Sequence, residues 1–329
     1  MKISERNLID IISKGSLKRA RGLLCGIGDD AAVIEAGEGR AWLISTDALF
    51  EGVHFDLGYT TPKKLGRKSL NVNLSDIAAM GGVPKFFLVS IGIPKTIDEG
   101  FVKSLYASMA ECGREHGVEL IGGDTSSSKS DLVISVTIIG EAKSGSVVFR
   151  SGARSGDSIF VSGMPGFSAL GLEMLKRRIK KPSMFIEKHL DPTPQLKLGK
   201  WLADTGIVNS MIDVSDGLIL DLDRIAQCSK VGYIVEIDKI VKDKKFDEVA
   251  GKMRLSREEL ILSGGEDYSL LFTVGKRNRS KFLKLLKQEK SFCDTIYEIG
   301  RITDASTKKA VDSKGRTVKL PKLGFDHFL

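Results

Sequence analysis

The chain has 329 residues, of which 42% are hydrophobic and 28% charged, and its formal net charge is +8 at pH 7. This length and composition are typical of a globular protein with a large core and predict two domains. The basic residues are scattered, and the 7% of aromatic residues do not interleave with them. We therefore expect a solvated basic surface and no nucleic-acid partner.

The N-terminal segment 1–14 has the pattern of an amphipathic helix and not of a signal peptide. No apolar run approaches the ~20 residues that span a bilayer. The cysteines Cys25, Cys112, Cys228 and Cys293 show neither a C-x-x-C pair nor a framework spacing, which argues against a zinc site or a disulfide scaffold. We expect a cytoplasmic protein without a membrane partner.

The first half of the chain alternates predicted strands and helices. Propensity and capping residues predict strands at 41–46, 85–93 and 131–141, and helices at 62–80 and 98–117. Pro62 stands in the first turn of one helix. This half has the pattern of an α+β or α/β domain.

The composition changes at 148–157, a stretch rich in glycine and small residues. We place a domain boundary there, which gives domains at 1–148 and 149–329. The segment 241–254 is too polar to assign. The second half is again mixed, with strands predicted at 158–161, 233–237 and 268–274, and helices at 167–177, after Pro194, after Gly217 and at 279–288.

Five acidic segments recur along the chain, most of them beside glycines or hydroxyl residues. They lie at 26–30, 45–47, 73–76, 122–124 and 213–217. Clustered carboxylates repel one another unless a cation neutralises them, and magnesium prefers oxygen ligands. The simplest interpretation is a phosphate site with several magnesium ions.

Taken singly, these aspartates have ordinary alternatives. Asp76 fits a surface position on its helix, and Asp124 after two glycines fits a tight turn near the end of a strand. Ser215 or Asp216 fits the N-cap of the next helix. The recurrence of five such segments favours the metal site.

The segment from Gly26 to Ala31 matches the permissive G-x-G-x-x-A form of the dinucleotide fingerprint. However, Asp29 and Asp30 would repel a pyrophosphate held directly by the loop. The sequence also lacks the G-x-x-x-x-G-K-[ST] loop and the H-R-D and D-F-G kinase motifs. Any use of ATP therefore requires another scaffold.

The motifs as a set resemble the thiamine-monophosphate kinase family. The resemblance spans nearly the whole chain and rests on Gly28-Asp-Asp-Ala, Ser45-Thr-Asp, Asn73-Leu-Ser-Asp, Gly122-Gly-Asp-Thr, Asp213-Val-Ser-Asp-Gly-Leu and Ser263-Gly-Gly-Glu-Asp-Tyr. That family belongs to an ATP-binding superfamily with aminoimidazole ribonucleotide synthetase. The resemblance implies that ATP phosphorylates thiamine monophosphate to thiamine diphosphate with several Mg²⁺ ions. The acceptor phosphate is already anionic at neutral pH, so no catalytic nucleophile or general base is expected.

The resemblance also implies roles for individual residues. Taken alone, Tyr106 and Phe325 fit core packing, His54 a structural histidine and Arg150 an ion pair. The implied magnesium ligands are Asp30, Ser45, Thr46, Asp47, Asp76, Asp124, Asp213 and Asp216. The implied nucleotide contacts are Tyr106, Gly123, Asp124, Arg150 and Ser215, and the implied thiamine contacts are His54, Glu266 and Phe325.

The family's architecture implies a homodimer. Its N-terminal domain binds ATP and magnesium and dimerises through its sheet, which forms a barrel across the two subunits, and its C-terminal domain is α/β. Two alternatives stay open: another enzyme of the superfamily, similar to aminoimidazole ribonucleotide synthetase, or a non-catalytic sensor of nucleotide and metal. Selenophosphate synthetase is disfavoured because no Cys or Lys pair precedes the Gly26 segment in the way that its catalysis requires. The hydrogenase-maturation enzyme is disfavoured because the chain has no terminal cysteine.

Overall fold

The computed structural model describes residues 5–15, 20–240 and 243–320. The first half forms a six-stranded sheet with helices packed on it. Its elements are α1 (Glu5–Gly15), β1 (Leu23–Cys25), β2 (Ala32–Gly37), β3 (Arg40–Phe50), α2 (Pro62–Ala79), β4 (Val83–Ile93), α3 (Glu99–His116), β5 (Glu119–Ser127) and β6 (Val133–Lys143).

Capping residues set the ends of the two long helices. The Thr61 side chain accepts a hydrogen bond from the Lys64 amide at the start of α2, where Pro62 occupies the first turn. Asp98 accepts from the Phe101 amide at 2.7 Å, and α3 ends at Gly117, which has φ of 66°. These contacts satisfy backbone groups that a helix end leaves unpaired. Both helices lie where the sequence predicts them.

The strand order of the N-terminal sheet is β1-β2-β3-β6-β4-β5. Only β4 and β5 pair in parallel; the other neighbours are antiparallel. All nine residues of β5 are exposed in the single chain. The sheet therefore has two edges, β1 and β5, and the described residues of one chain form no closed barrel.

The second half forms a seven-stranded sheet. Its strands are β7 (Ser158–Ser162), β8 (Val208–Asp213), β9 (Gly232–Glu236), β10 (Leu270–Val274), β11 (Ile296–Thr303), β12 (Lys308–Val311) and β13 (Thr317–Val318). Its helices are α4 (Phe167–Lys176), α5 (Ser183–Leu190), α6 (Leu196–Thr205), α7 (Leu218–Ser229), α8 (Lys244–Met253), α9 (Arg257–Ser263) and α10 (Arg279–Gln288). No described helix combines the length and apolar character needed to cross a membrane.

This second sheet has the order β13-β12-β9-β11-β7-β10-β8. Only β12 and β9 run in parallel, so the domain is α+β in the strict sense of that term. Phe167 stacks on Phe246 at 5.3 Å between ring centroids and meets Phe185 edge-on at 4.8 Å, in the core that the helices share. Both halves are thus mixed α and β, as predicted.

Helix α2 connects the two domains. Its last turn packs against α6, where Ala78 and Ala79 share a buried cluster with Leu198 and Leu202. Gly199 permits this approach, because a Cβ atom there would lie 2.0 Å from the Ala78 carbonyl oxygen. The same helix therefore carries side chains toward the C-terminal domain at a fixed distance.

Candidate active site

Three carboxylates meet at the domain junction. Asp30 comes from the loop between β1 and β2, Asp76 from the last turn of α2 and Asp213 from the end of β8. One oxygen from each lies within 4.8 Å of the others. Three acidic segments that are distant in sequence therefore form one group of hard oxygen ligands.

Hydroxyl and amide groups hold these carboxylates in place. Ser45 donates to Asp76 with 2.6 Å between Oγ and Oδ2, and Ser75 donates to Asp213 over the same distance. The Asp47 amide donates to Asn73 Oδ1 at 3.0 Å, which ties β3 to α2. The polar residues of α2 thus serve the site, while its apolar residues fill the core.

The carboxylates raise one another's pKa values. Burial and the neighbouring Asp47, Asp213 and Asp30 carboxylates raise the pKa of Asp76 well above its usual value. Burial, followed by Asp30, does the same for Asp213. For Asp47, burial and the nearby Asp216 and Asp30 raise the pKa to about 6. A bound cation would remove this repulsion.

Arg150, in the linker between the domains, pairs with Asp30. Its Nη2 lies 2.6 Å from Asp30 Oδ1, and its backbone amide donates to the Asp29 carboxylate at 3.2 Å. Burial and Asp30 raise the pKa of Asp29 to about 7. The second oxygen of Asp30 is buried and has no hydrogen-bond partner among the described residues. A buried carboxylate oxygen in this state fits a metal ligand.

The loop at 213–217 is held by a residue that sequence reasoning missed. The buried Asp221 carboxylate accepts from the amides of Ser215, Asp216 and Gly217 at 3.1 to 3.2 Å. Arg224 then bridges Asp221 and Asp216. The available signal was an acidic residue in the first turn of α7, which is also common in ordinary helices.

A second polar group includes two of the predicted thiamine contacts. The buried Lys68 amine contacts both the Glu266 carboxylate and the His54 carbonyl oxygen. The His54 ring accepts from the Phe50 amide at 3.0 Å. His189 contacts Glu266 from the other side. Neither Lys68 nor His189 was predicted, because nothing in the local sequence distinguishes them.

Several predicted residues lie outside the carboxylate group. Asp124 is in the middle of β5, not at a strand end as expected, and its exposed carboxylate accepts from Ser126. Thr46 is exposed, and its hydroxyl donates to the Val136 carbonyl. Tyr106 packs on the N-terminal core from α3. Phe325 falls outside the described residues. For all of these, the predicted roles stay predictions.

The packing of β5 against β4 explains why residue 123 is a glycine. Its φ is +153°, and a Cβ atom would lie 1.9 Å from the Val89 carbonyl oxygen on β4. Only glycine fits this approach between the two strands. This packing does not test the predicted contact of Gly123 with a nucleotide, which stays a prediction.

Family models match both halves of the chain. The model for AIR synthase related protein, N-terminal domain, matches residues 28–142, and the model for the C-terminal domain of the same family matches residues 154–313. The two halves of the chain thus place it in the AIR synthase related class.

Comparison with curated relatives shows which family within this class the chain belongs to. The thiamine-monophosphate kinase of Bacillus subtilis (strain 168) is 36% identical over 314 residues, which cover 92% of this chain and 93% of that protein. The enzyme of Escherichia coli (strain K12) is 36% identical over 310 residues, covering 92% and 91%. The chain belongs to the thiamine-monophosphate kinase family.

Solved structures agree with this assignment. The structure described as AaThiL complexed with AMPPCP and TMP has a TM-score of 0.85 and 33% identity, covering 100% of this chain and 99% of that one. The Escherichia coli hydrogenase maturation protein HypE has a TM-score of 0.71 at 18% identity, covering 98% of each chain, and shows a shared fold alone.

Proposed function

We propose that this chain transfers the terminal phosphate of ATP to the phosphate of thiamine monophosphate, which yields thiamine diphosphate and ADP. The observation that carries the proposal is the likeness, over the whole chain, to a structure holding AMPPCP and TMP. The carboxylate group at the domain junction supports it, because two polyanionic substrates require cations between them.

The residues present fit several magnesium ions. The convergent carboxylates are hard oxygen donors, and the buried Asp30 oxygen lacks a partner among the described residues. When bound, the ions neutralise the charge of the phosphates and bring them together. The residues that would hold them are Asp30, Ser45, Thr46, Asp47, Asp76, Asp124, Asp213 and Asp216.

We propose direct, in-line transfer without a covalent intermediate. The second pKa of a phosphate monoester is near 6, so the attacking oxygen needs no side chain to remove a proton. Catalysis then rests on positioning and on electrostatic stabilisation. Arg150, fixed by Asp30, supplies a cation beside the phosphates. The proposed nucleotide contacts are Tyr106, Gly123, Asp124, Arg150 and Ser215, and the proposed thiamine contacts are His54, Glu266 and Phe325.

We also propose a homodimer in which two N-terminal sheets form a barrel across the subunits. The exposed β5 edge offers unpaired backbone groups, and Leu120 and Ile121 on it are exposed hydrophobic side chains. Phe86 on the neighbouring β4 is also exposed. Such an edge requires cover in a stable protein. Light scattering should give twice the chain mass, and Ile121→Lys should lower it toward the monomer; a monomeric wild type would contradict this.

The proposal also covers the domain boundary and the cellular location of the protein. We place the boundary between 148 and 149, a few residues after β6 ends at Lys143. The four cysteines form no disulfide, which is compatible with a reducing cytoplasm.

A coupled assay for ADP release tests the activity. We expect turnover with ATP, magnesium and thiamine monophosphate, and none with other phosphorylated acceptors. Turnover with a precursor of aminoimidazole ribonucleotide instead would favour a different activity of the superfamily. Tight ATP binding without turnover on any acceptor would favour the nucleotide and metal sensor.

A further inference from the structure

Lys68 is a charged residue buried at the junction of the two domains. Its side chain is only 3% exposed, and Nζ lies 2.9 Å from Glu266 Oε1. The same amine donates to the His54 carbonyl oxygen at 3.1 Å. One cation on α2 therefore holds a residue of each domain, and these are two of the three proposed thiamine contacts.

His189 holds the other oxygen of the same carboxylate. Its Nδ1 lies 3.1 Å from Glu266 Oε2 and 3.1 Å from Ser168 Oγ. Burial, followed by the charge of Lys68, lowers the pKa of His189 to about 4, so the ring is neutral at pH 7. The hydrogen bond of Nδ1 is with Ser168 Oγ, and its direction depends on the tautomer of the ring. Lys68 thus supplies the charge, and the neutral His189 ring lies against the other carboxylate oxygen of Glu266.

The backbone around Glu266 is fixed as well. Glu266 and Tyr268 have φ of 61° and 48°, a region that residues other than glycine rarely adopt. Between them the buried Asp267 carboxylate accepts from the amides of Gly166 and Ser168, at 2.6 and 3.1 Å. The Glu266 amide donates to the Ser215 carbonyl oxygen at 2.6 Å. Strained backbone of this kind persists where its surroundings determine it, and it often marks a ligand site.

We propose that Lys68 and His189 are positioning residues for the acceptor substrate. They hold the Glu266 carboxylate so that its remaining acceptor positions face a cationic or hydrogen-bond-donating group of the thiamine moiety. Lys68 also sets the distance between Glu266 and His54, because it contacts both. The inference rests on the proposed kinase function and adds to it two residues that never touch the phosphates.

Lys68→Met tests the proposal, because it keeps the length of the side chain and removes its charge. We expect the KM for thiamine monophosphate to rise at least about tenfold while that for ATP stays within about twofold. Lys64→Met is the matched control. Lys64 lies one turn earlier on α2 and also bridges to the other domain, through Glu187 and Asp191 of the C-terminal half. Its loss should leave both constants within about twofold.

A double-mutant cycle separates positioning from general support of the fold. If Lys68 acts through Glu266, then Lys68→Met should raise the KM by no more than about twofold further in a Glu266→Gln background. His189→Asn, which keeps a nitrogen donor, should impair the KM less than His189→Leu does. The proposal would be overturned if the fold-changes in KM caused by Lys68→Met and Glu266→Gln multiplied in the double variant. Equal rises in the KM values for ATP and thiamine monophosphate would also overturn it. Lys68→Gln replaces Lys68→Met if the latter does not fold.

Calorimetric binding of thiamine monophosphate distinguishes this inference from the proposed activity. If the wild type binds it but does not turn over, and Lys68→Met weakens the binding about tenfold, the positioning role holds and the kinase function fails. If the wild type turns over and Lys68→Met behaves like Lys64→Met, the positioning role fails alone. A wild type without any binding contradicts both.

Discussion

Ser75 on α2 donates a hydrogen bond to Asp213 on β8, with 2.6 Å between Oγ and Oδ2. The next residue, Asp76, contributes its own carboxylate to the same group. Consecutive residues of one helix thus hold a ligand of the C-terminal domain and add one from the N-terminal domain. The site depends on the docking of α2 between the two sheets.

Ser75→Ala should weaken magnesium binding with little effect on folding. The hydroxyl favours the ionised Asp213, whose pKa burial and Asp30 already raise. A hydrogen bond to a charged group contributes about 1.5–3 kcal/mol, so the magnesium concentration for half-maximal activity should rise roughly ten- to hundredfold. Ser69→Ala is the control, since the Ser69 hydroxyl donates to the Leu65 carbonyl within α2 and contacts none of the described carboxylates of the site. Equal magnesium requirements in the two variants would refute the role of Ser75.

Asp47→Asn should lower turnover at least about a hundredfold, which corresponds to ~2.7 kcal/mol of lost transition-state stabilisation. The substitution keeps size and removes charge that would balance magnesium. Asp124→Asn should have an effect of the same order if a partner subunit or a substrate brings that exposed residue to the site. Asp204→Asn on α6, whose carboxylate pairs with Lys200, is the control. Near-normal turnover of both site variants would contradict the proposal of several metals.

Stability without magnesium should depend on pH through the same carboxylates. A carboxyl group whose pKa is raised in the folded state destabilises that state as pH rises from its unfolded pKa toward the folded value. For Asp47 this range runs from about 4 to about 6. The pKa of Asp76 is raised well above its usual value by burial and by the neighbouring carboxylates, so the same sign applies to it.

Asp76→Asn removes one such group. In metal-free buffer its melting temperature should therefore rise relative to that of the wild type as pH increases above about 4, by roughly 2–4 °C for each kcal/mol gained. Adding magnesium at pH 8 should reverse the order, because it binds only the folded wild-type site tightly. Calorimetric scans across this range measure the difference. If the difference in melting temperature were the same at all pH values, the charge of Asp76 would not destabilise the folded state.

Gly123→Ala should disrupt the pairing of β4 and β5. The new Cβ atom would lie 1.9 Å from the Val89 carbonyl oxygen, so the strand must move. We expect a loss of at least about 2 kcal/mol, or roughly 4–8 °C in melting temperature, and reduced turnover because Asp124 follows directly. Gly145→Ala serves as control, since a Cβ atom there meets no atom within 4 Å. Equal melting temperatures would contradict the packing argument.

The features that sequence predicted are local ones. Asp98 and Gly117 cap α3 from within one turn of its ends, so the sequence predicted both the helix and its boundaries. The acidic segments were recognisable because carboxylates and glycines stood side by side. By contrast, the sequence predicts only the first part of β5 and places Asp124 at its end, because the two glycines and polar residues resemble a turn. The pairing that extends the strand to Ser127 comes from β4, which is distant in sequence. Lys68 resembles any surface lysine on a helix until the C-terminal domain brings Glu266 to it.

No phosphoenzyme should form during turnover. The acceptor phosphate is already anionic at neutral pH and attacks directly, so a covalent carrier offers no advantage. His54 is itself one of the proposed thiamine contacts, and its Nδ1 already accepts a hydrogen bond from the Phe50 amide at 3.0 Å. We expect it to position substrate without accepting a phosphate.

Incubation with γ-labelled ATP and magnesium should therefore leave the protein unlabelled. In a separate experiment, label from adenine-labelled ADP should not appear in ATP unless thiamine monophosphate is present. His54→Gln should raise the KM for thiamine monophosphate by roughly two- to thirtyfold and retain measurable turnover, since it removes a binding contact and not a reaction step. A phosphohistidine at His54, detected by mass spectrometry during turnover, would replace direct transfer with a two-step mechanism.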